Sequence, residues 1–435
     1  MRHDMMLLSA LAAALLSATA AKATVGYQFN GIGQYELGMS GAVVAAPGDA
    51  MTVITNPAGM AWIQAQGDAA AEIFNPTRSA SFGQGTIGSH TNIYGIPALG
   101  WMVPVQHRRV FLGGGFFGTA GLGVNYLQQP YFVPSPADPS QLIPANLKAY
   151  SSISMMIMAL GVAWKPSSTW SIGVALNFAN ENVAFQETTA GTMPNGFPFS
   201  AGMNFSNPAN AYGIGATMGV LYKINTLVTL GATYRSPIFF TPLTWQETAE
   251  SVPNPVTGEI SAAGSAGQYS MRLNFPQQIA LGIALHPTQK LLVSIEGQWI
   301  NWRSTLNTVS IYGPWDQGGS IALGTHWQNS WVGSVGVQYV TTRWLTLRTG
   351  YSYGSSPITK GNLYSNLLAP AVVTNQVTVG ATENLATHWQ ITEAYMHAFK
   401  NTMRSNISGT NIPINASLAE NAFGLQVNYL FYPGR

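Results

Sequence analysis

The chain of 435 residues has no cysteine, little charge and, beyond its first two dozen residues, no long apolar run. Zero cysteines exclude disulfides and thiolate metal sites. Charged residues make up 8% of the chain, against an ordinary share of about 25%. The 18 basic and 16 acidic residues nearly cancel, so the basic stripe of a nucleic-acid binder is missing. No charge run or low-complexity linker divides the chain, and the seven histidines are scattered. Nothing therefore points to a metal, a cofactor or an enzyme. What is abundant is hydrophobic residues, at 46%.

Those residues are arranged with a period of two. From Ile279 to Leu285 every other residue is a large aliphatic, separated by the small Ala280, Gly282 and Ala284. Val228, Leu230, Ala232 and Tyr234 repeat the pattern, as do Leu345, Leu347, Thr349 and Tyr351. A sheet with one oily face is implied. A soluble sandwich would hide that face between two sheets; a membrane barrel would turn it to lipid, with strands of roughly 9–11 residues in the bilayer. The pattern by itself fits both.

The N-terminus and the connections separate them. Arg2 and His3 precede an apolar run from Met5 to Leu16, followed by Ala21-Lys22-Ala23. This reads as a secretory signal peptide over residues 1–23; the run is too short for a spanning helix, which needs about 20 residues. Short joins are expected at His107–Arg109, Pro166–Thr169, Lys223–Thr226, His286–Lys290, Thr341–Arg343 and Asn384–Thr387. Long joins fall between them, near Gln84–Ile93, Gln128–Lys148, Thr189–Asn210, Phe239–Gln268, Leu306–His326, Ser355–Thr374 and Asn401–Glu420. A strict alternation of short and long is the signature of an outer-membrane barrel of a Gram-negative bacterium, here with about 14 antiparallel strands over residues 63–435. Trp62, Trp101, Trp164, Trp170, Trp299, Trp302, Trp331 and Trp344 fall near strand ends, where interfacial aromatic girdles form.

Residues 24–62 are of another kind, rich in Gly and Ala without sustained alternation. At their centre lies Asn56-Pro57-Ala58-Gly59-Met60. Asn caps helices and Pro suits a first helical position, so a short helical turn from Asn56 is expected on local grounds alone.

Several segments in order carry a family resemblance: Gly26-Tyr27-Gln28, Leu37-Gly38, Ser40-Gly41-Ala42, Gly48-Asp49-Ala50, Asn56-Pro57-Ala58-Gly59, Ala232-Thr233-Tyr234-Arg235-Ser236, Leu273-Asn274-Phe275-Pro276, Arg348-Thr349-Gly350, Ser356-Pro357 and Tyr395-Met396-His397. With them the chain resembles the FadL-type outer-membrane transporters of long-chain fatty acids and hydrocarbons, including the TodX-like aromatic hydrocarbon porins. The resemblance implies a monomeric 14-stranded barrel closed by an N-terminal hatch, and passive, ligand-gated uptake of a hydrophobic compound. It implies a hatch fastened through Asn56, Pro57 and Ala58, and lateral exit into outer-membrane lipid through a kinked third strand. Gly113-Gly114-Gly115 is the expected kink, since glycine inside a strand commonly marks a bend. The same stretch spells G-x-G-x-x-G through Gly118, but Phe116 and Phe117 do not open the helix a dinucleotide site requires.

Exposed apolar clusters on external loops mark interaction sites, which makes Phe197, Phe199, Met203 and Phe205, and Phe239, Phe240, Leu243 and Trp245, candidate ligand contacts; packing of loop on loop is the alternative. In fatty-acid members, basic residues at the outer end of the fifth strand and near the start of the tenth pair the carboxylate; the matching positions here are Glu187 and Gln328. Arg235 and Arg272, expected to face the lumen, are the possible substitutes. An enzymatic barrel with His397 as base, and a non-conducting adhesion barrel, are the competing readings. Only a selective gate needs a plug.

Overall fold

A computed structural model of the chain describes residues 26–431 apart from 82–84, 106–108, 135–141, 193–195, 197, 248–251, 254–259, 262–266, 316–318, 408 and 410. The expected signal peptide lies outside the described residues. No helix among them is long and apolar enough to cross a membrane; crossing falls to strands.

Fourteen long antiparallel strands close on themselves. They are β1 (Gln66–Ser81), β2 (Tyr94–Val105), β3 (Val110–Pro134), β4 (Leu142–Trp164), β5 (Trp170–Thr192), β6 (Pro198–Lys223), β7 (Val228–Arg235), β8 (Gln278–Thr288), β9 (Leu291–Ile300), β10 (Ser330–Val340), β11 (Leu345–Gly354), β12 (Asn375–Asn384), β13 (Trp389–Asn406) and β14 (Pro413–Leu430). Closure is made by β1 pairing with β14 from Gln66↔Leu430 to Ser81↔Asn415. Every backbone group at membrane depth needs a partner, which a closed barrel supplies. The alternation holds: Ile279 and Leu281 on β8 are exposed to the outside while Ala280 and Ala284 are buried within.

Several strands run far beyond the expected ends. β4 and β5 extend through what the alternation had assigned to long loops. The reason is a reversal of polarity. On β4, Ile143, Ala145, Leu147 and Ala149 are buried while Asn146 and Lys148 are exposed. Above the bilayer the outer face meets water and the inner face lines an apolar cavity, so the oily side switches. The same applies at the outer ends of β13 and β14, which continue to Asn406 and begin at Pro413.

The wall is incomplete between β2 and β3. Their pairing runs from Val105↔Val110 to Ala98↔Phe117 and stops there, although β2 remains paired to β1 as far as Tyr94↔Phe74. The register of β3 against β4 shifts between Gly118 and Ala120. The opening resumes contact where Arg78 donates to the Gly123 carbonyl and His90 N–H donates to Asn125 O at 3.0 Å. From Phe117 to Gly123 this window spans roughly 20 Å of strand. The triple glycine does not make it. Gly113, Gly114 and Gly115 stay paired on both sides, with Met102, Trp101 and Gly100 and with Gly161, Leu160 and Ala159. A Cβ at 113 would fall 2.5 Å from Met60 Sδ, so close packing against the plug explains that glycine.

Candidate functional site

Residues 26–62 fill the lumen at the end of the short turns. They form α1 (Gly33–Gly38), α2 (Thr52–Thr55) and a 3-10 turn, Pro57–Ala61. As the local sequence implies, Asn56 caps that turn, its Oδ1 accepting from Ala58 N–H at 3.2 Å. The same side chain also fastens the plug, because Nδ2 donates to Val44 O at 2.6 Å and to Val220 O of β6 at 3.4 Å. Ala58 O accepts from Ser171 Oγ of β5 at 2.9 Å, and Trp62 Nε1 donates to that hydroxyl at 2.7 Å. Lys165 lies 3.6 Å over the Trp62 ring.

Inward carboxylates of the wall hold plug amides. Glu296 accepts from Val43 and Val44 N–H at 3.0 and 2.9 Å, and Asp68 accepts from Ala50 N–H at 2.6 Å and from Asn428 Nδ2 at 2.8 Å. Asp49 accepts from Gln426 Nε2 at 2.9 Å. Arg348 stacks on Tyr35 at 4.6 Å. Within the plug, burial pushes the Asp49 carboxyl up to about 6, against the opposing pull of hydrogen bonds from Gln426 and Met51. Burial and the nearby Asp49 charge raise Glu36 as well. Charge-assisted bonds of this kind are stronger than neutral ones, at the expense of desolvating each carboxylate.

Two apolar cavities lie above. The upper, of about 340 Å³, sits beneath the external loops and is lined by Tyr27, Phe185, Met203, Leu273, Leu306, Trp327 and Leu368 among others. The second, of about 280 Å³, lies behind the window and is lined by Phe29, Phe74, Ile96, Leu122, Ile153 and Met155, with Arg78 and Glu420. Leu122, Ile153 and Ala369 border both. The start of the plug runs between them and binds the freed edge of β3. Phe29 N–H donates to Thr119 O at 3.1 Å, and Gly121 N–H donates to Tyr27 O at 2.9 Å. Tyr27 is wedged against Trp302, Phe275 and Trp327, with ring centroids 4.8 to 6.1 Å apart.

The expected loop contacts divide. Met203 lines the upper cavity. Phe205, Phe240, Leu243 and Trp245 instead are buried in loop-on-loop packing. Phe205 contacts both Trp245 and Tyr269 at 5.2 and 5.4 Å, beside a small external sheet made of Leu243–Glu247, Gly267–Met271, Val309–Tyr312 and Ser320–Leu323. Large aromatic groups in water gather together, and this cluster seals the top of the barrel. Phe239 points outward, 62% exposed. Phe197 lies outside the described residues, and Phe199 is described only as backbone of β6. Trp302 is not an interfacial girdle residue, being fully buried in the lumen, whereas Trp101, Trp164, Trp331 and Trp344 are exposed on the outside.

Glu187 is the one charged residue among those described that line the upper cavity. Gln328 is exposed beside it, donating to His326 O at 3.0 Å, and its neighbour Trp327 makes the cavity wall. Neither possible basic substitute reaches the cavities: Arg235 donates to Ile54 O of the plug at 3.2 Å, and Arg272 is exposed because Met271 and Leu273 take the inward positions. His397 holds Asn421 Oδ1 at 2.9 Å and packs on Phe399. Gly350-Tyr351-Ser352-Tyr353-Gly354 spells a serine-hydrolase elbow, yet it lies within β11, and Ser352 accepts from Asn30 Nδ2 at 2.8 Å. A nucleophile elbow needs a sharp strand-to-helix turn. Sequence reasoning missed Arg78 and Glu420, whose period-two positions look like any inward pair.

Solved structures share this architecture. The chain superposes on the toluene transporter TodX of Pseudomonas putida with a TM-score of 0.73 at 17% identity, over 94% of this chain and 100% of that one. A FadL homologue of Pseudomonas aeruginosa gives 0.71 at 15%, over 94% and 100%. The toluene transporter TbuX of Ralstonia pickettii gives 0.68 at 16%, over 93% and 99%. No curated protein matches the sequence. Residues 12–431 match the family described as outer membrane protein transport protein (OMPP1/FadL/TodX). The chain belongs to this FadL and TodX family of outer-membrane transport β-barrels.

Proposed function

We infer that this barrel takes up hydrophobic compounds passively as a single chain, and that neutral hydrocarbons or aromatics are preferred over ionised long-chain fatty acids. The ligand settles in the upper cavity, displaces the start of the plug, reaches the second cavity and leaves sideways through the β2–β3 window into membrane lipid.

The observation that carries this reading is the pair of apolar cavities sharing Leu122, Ile153 and Ala369, one under the loops and one at the window, with Glu187 as the upper cavity's one charged side chain among the described residues. A carboxylate there would give up hydration to apolar walls and meet a like charge on Glu187, whose side chain is exposed towards the open side of the cavity. A neutral hydrophobe meets no such opposition. Two of the structural relatives are described as toluene transporters, which supports the same ligand class.

Ala120 borders the second cavity at the freed edge of β3. An Ala120→Trp variant should fill that cavity and abolish uptake of a radiolabelled alkylbenzene by cells, while the purified barrel still binds it above. Undiminished uptake by an assembled variant would refute lateral exit. Absence of uptake by the wild type would refute the transport reading as a whole.

A further inference from the structure

The second cavity is not uniformly apolar. Phe74, Pro76 and Arg78 alternate inward on β1, and Leu418 and Glu420 do so on β14, where Arg78↔Leu418 and Pro76↔Glu420 are register partners. Arg78 and Glu420 therefore stand diagonally opposed on one face, near enough for long side chains to interact. The guanidinium is partly occupied: it donates to the carbonyls of Gly123 and Thr91 and lies 3.3 Å from Tyr94 Oη, while its Nε has no partner among the described residues. The carboxyl is different. Glu420 is only 9% exposed, borders the cavity and has no hydrogen-bond partner among the described residues. A buried acceptor left unmade is costly, and natural pockets place such groups to be completed by a ligand.

We propose that the cavity behind the window is a distinct binding site for hydrophobes that carry a hydrogen-bond donor, a phenol or alcohol O–H, which Glu420 accepts. The inference rests on the reading of this cavity as part of the ligand route. Arg78 stands opposite that carboxyl with a free Nε, and a hydroxyl, being both donor and acceptor, can serve the two side chains together. An ionised acid has no donor for Glu420, and a plain hydrocarbon leaves its oxygens unpaired. The apolar walls, Phe29, Ile96, Leu122 and Met155, receive the rest of the molecule.

The test compares 4-butylphenol with 4-butylanisole, in which a methyl group replaces the donor hydrogen, and with butylbenzene, by titration of the purified full-length barrel in detergent. The net gain from such a hydrogen bond corresponds to up to roughly tenfold in affinity. The phenol is expected to bind about that much more tightly than the anisole. Glu420→Leu should remove the difference between phenol and anisole, whereas Glu187→Gln should preserve it. Should Glu420→Leu fail to assemble, Glu420→Gln should reduce the preference to a few-fold. Equal binding of phenol and anisole by the wild type overturns the proposal, as does a preference that persists undiminished in the position-420 variant or disappears with Glu187→Gln. If none of the three compounds binds, the transport reading itself fails. If butylbenzene binds and the hydroxyl adds nothing, only the donor site does.

Discussion

Gly219 of β6 and Asn56 of the plug compete for one space: a Cβ at 219 would lie 2.0 Å from Asn56 Oδ1 and 3.2 Å from Pro57 Cδ. The same holds at Gly173 of β5, where a Cβ would meet Ala58 N at 2.5 Å. The wall is thus cut to fit the plug. Overpacking a close contact destabilises by about 1–3 kcal/mol. Gly219→Val should unseat the Asn56 turn while the strands still close, seen as faster proteolysis of residues 30–60 in a barrel that keeps its heat-modifiable gel mobility. A protected plug in the variant would mean that the turn shifts without loss.

Asn56→Ala leaves the Val44 and Val220 carbonyls and the Ala58 amide without their side-chain partner. Loss of such a cap costs about 1–2 kcal/mol. Plug exchange with solvent, followed by amide hydrogen exchange, should rise several-fold, and ligand uptake should change with it. Pro57→Ala, which retains the Asn56 bonds, should have the smaller effect.

Docking of the plug should depend on pH. Asp49 stands at about 6 in the seated plug against an ordinary 3.8, so the seated state binds the proton more tightly. The resulting stabilisation is complete below about pH 4 and is lost as pH rises through about 6; a carboxyl moved this far corresponds to about 3 kcal/mol at most. Glu36, raised as well, acts with the same sign. The plug should be cleaved more slowly at pH 5 than at pH 7.5, and Asp49→Asn should narrow that difference.

The bilayer-spanning halves of the strands were legible because their outward residues must be oily and their inward ones small or polar. Ile279, Leu281 and Ala280 sit as their order implied. The outer halves were not legible as strands, because above the membrane Leu147 faces in and Lys148 faces out, the reverse of the pattern sought. The capping role of Asn56 followed from local chemistry, but its bond to Val220 joins positions 164 apart and has no local signature. Composition drew the kink to Gly113–Gly115, whereas the interruption lies at Gly118–Ala120, where pairing with β2 ends and the plug supplies the missing bonds. Loop aromatics such as Phe205 and Trp245 read as exposed only because their partners in the external sheet are distant in the chain.

Glu187 and Gln328, the two positions expected from the resemblance to match basic residues of fatty-acid members, should differ in effect. Glu187 lines the upper cavity and Gln328 does not. Glu187→Arg should therefore raise affinity for an alkylbenzoate by tenfold or more, since a repulsive neighbour becomes a partner. Gln328→Lys should add little to it. A larger effect at 328 than at 187, in titrations of the two single variants, would show that the outer loop turns inward when ligand binds.

The central claim is that the lumen selects neutral hydrophobes over carboxylates, and a pair of binding titrations on the purified wild type at pH 7.5 addresses it most directly. Butylbenzene and 4-butylbenzoate have the same apolar body and differ in charge. Binding of butylbenzene at least as tight as that of the ionised acid is the predicted result. A clear preference for 4-butylbenzoate would contradict the account, and would assign to this barrel a basic partner for the carboxylate that Glu187 cannot be.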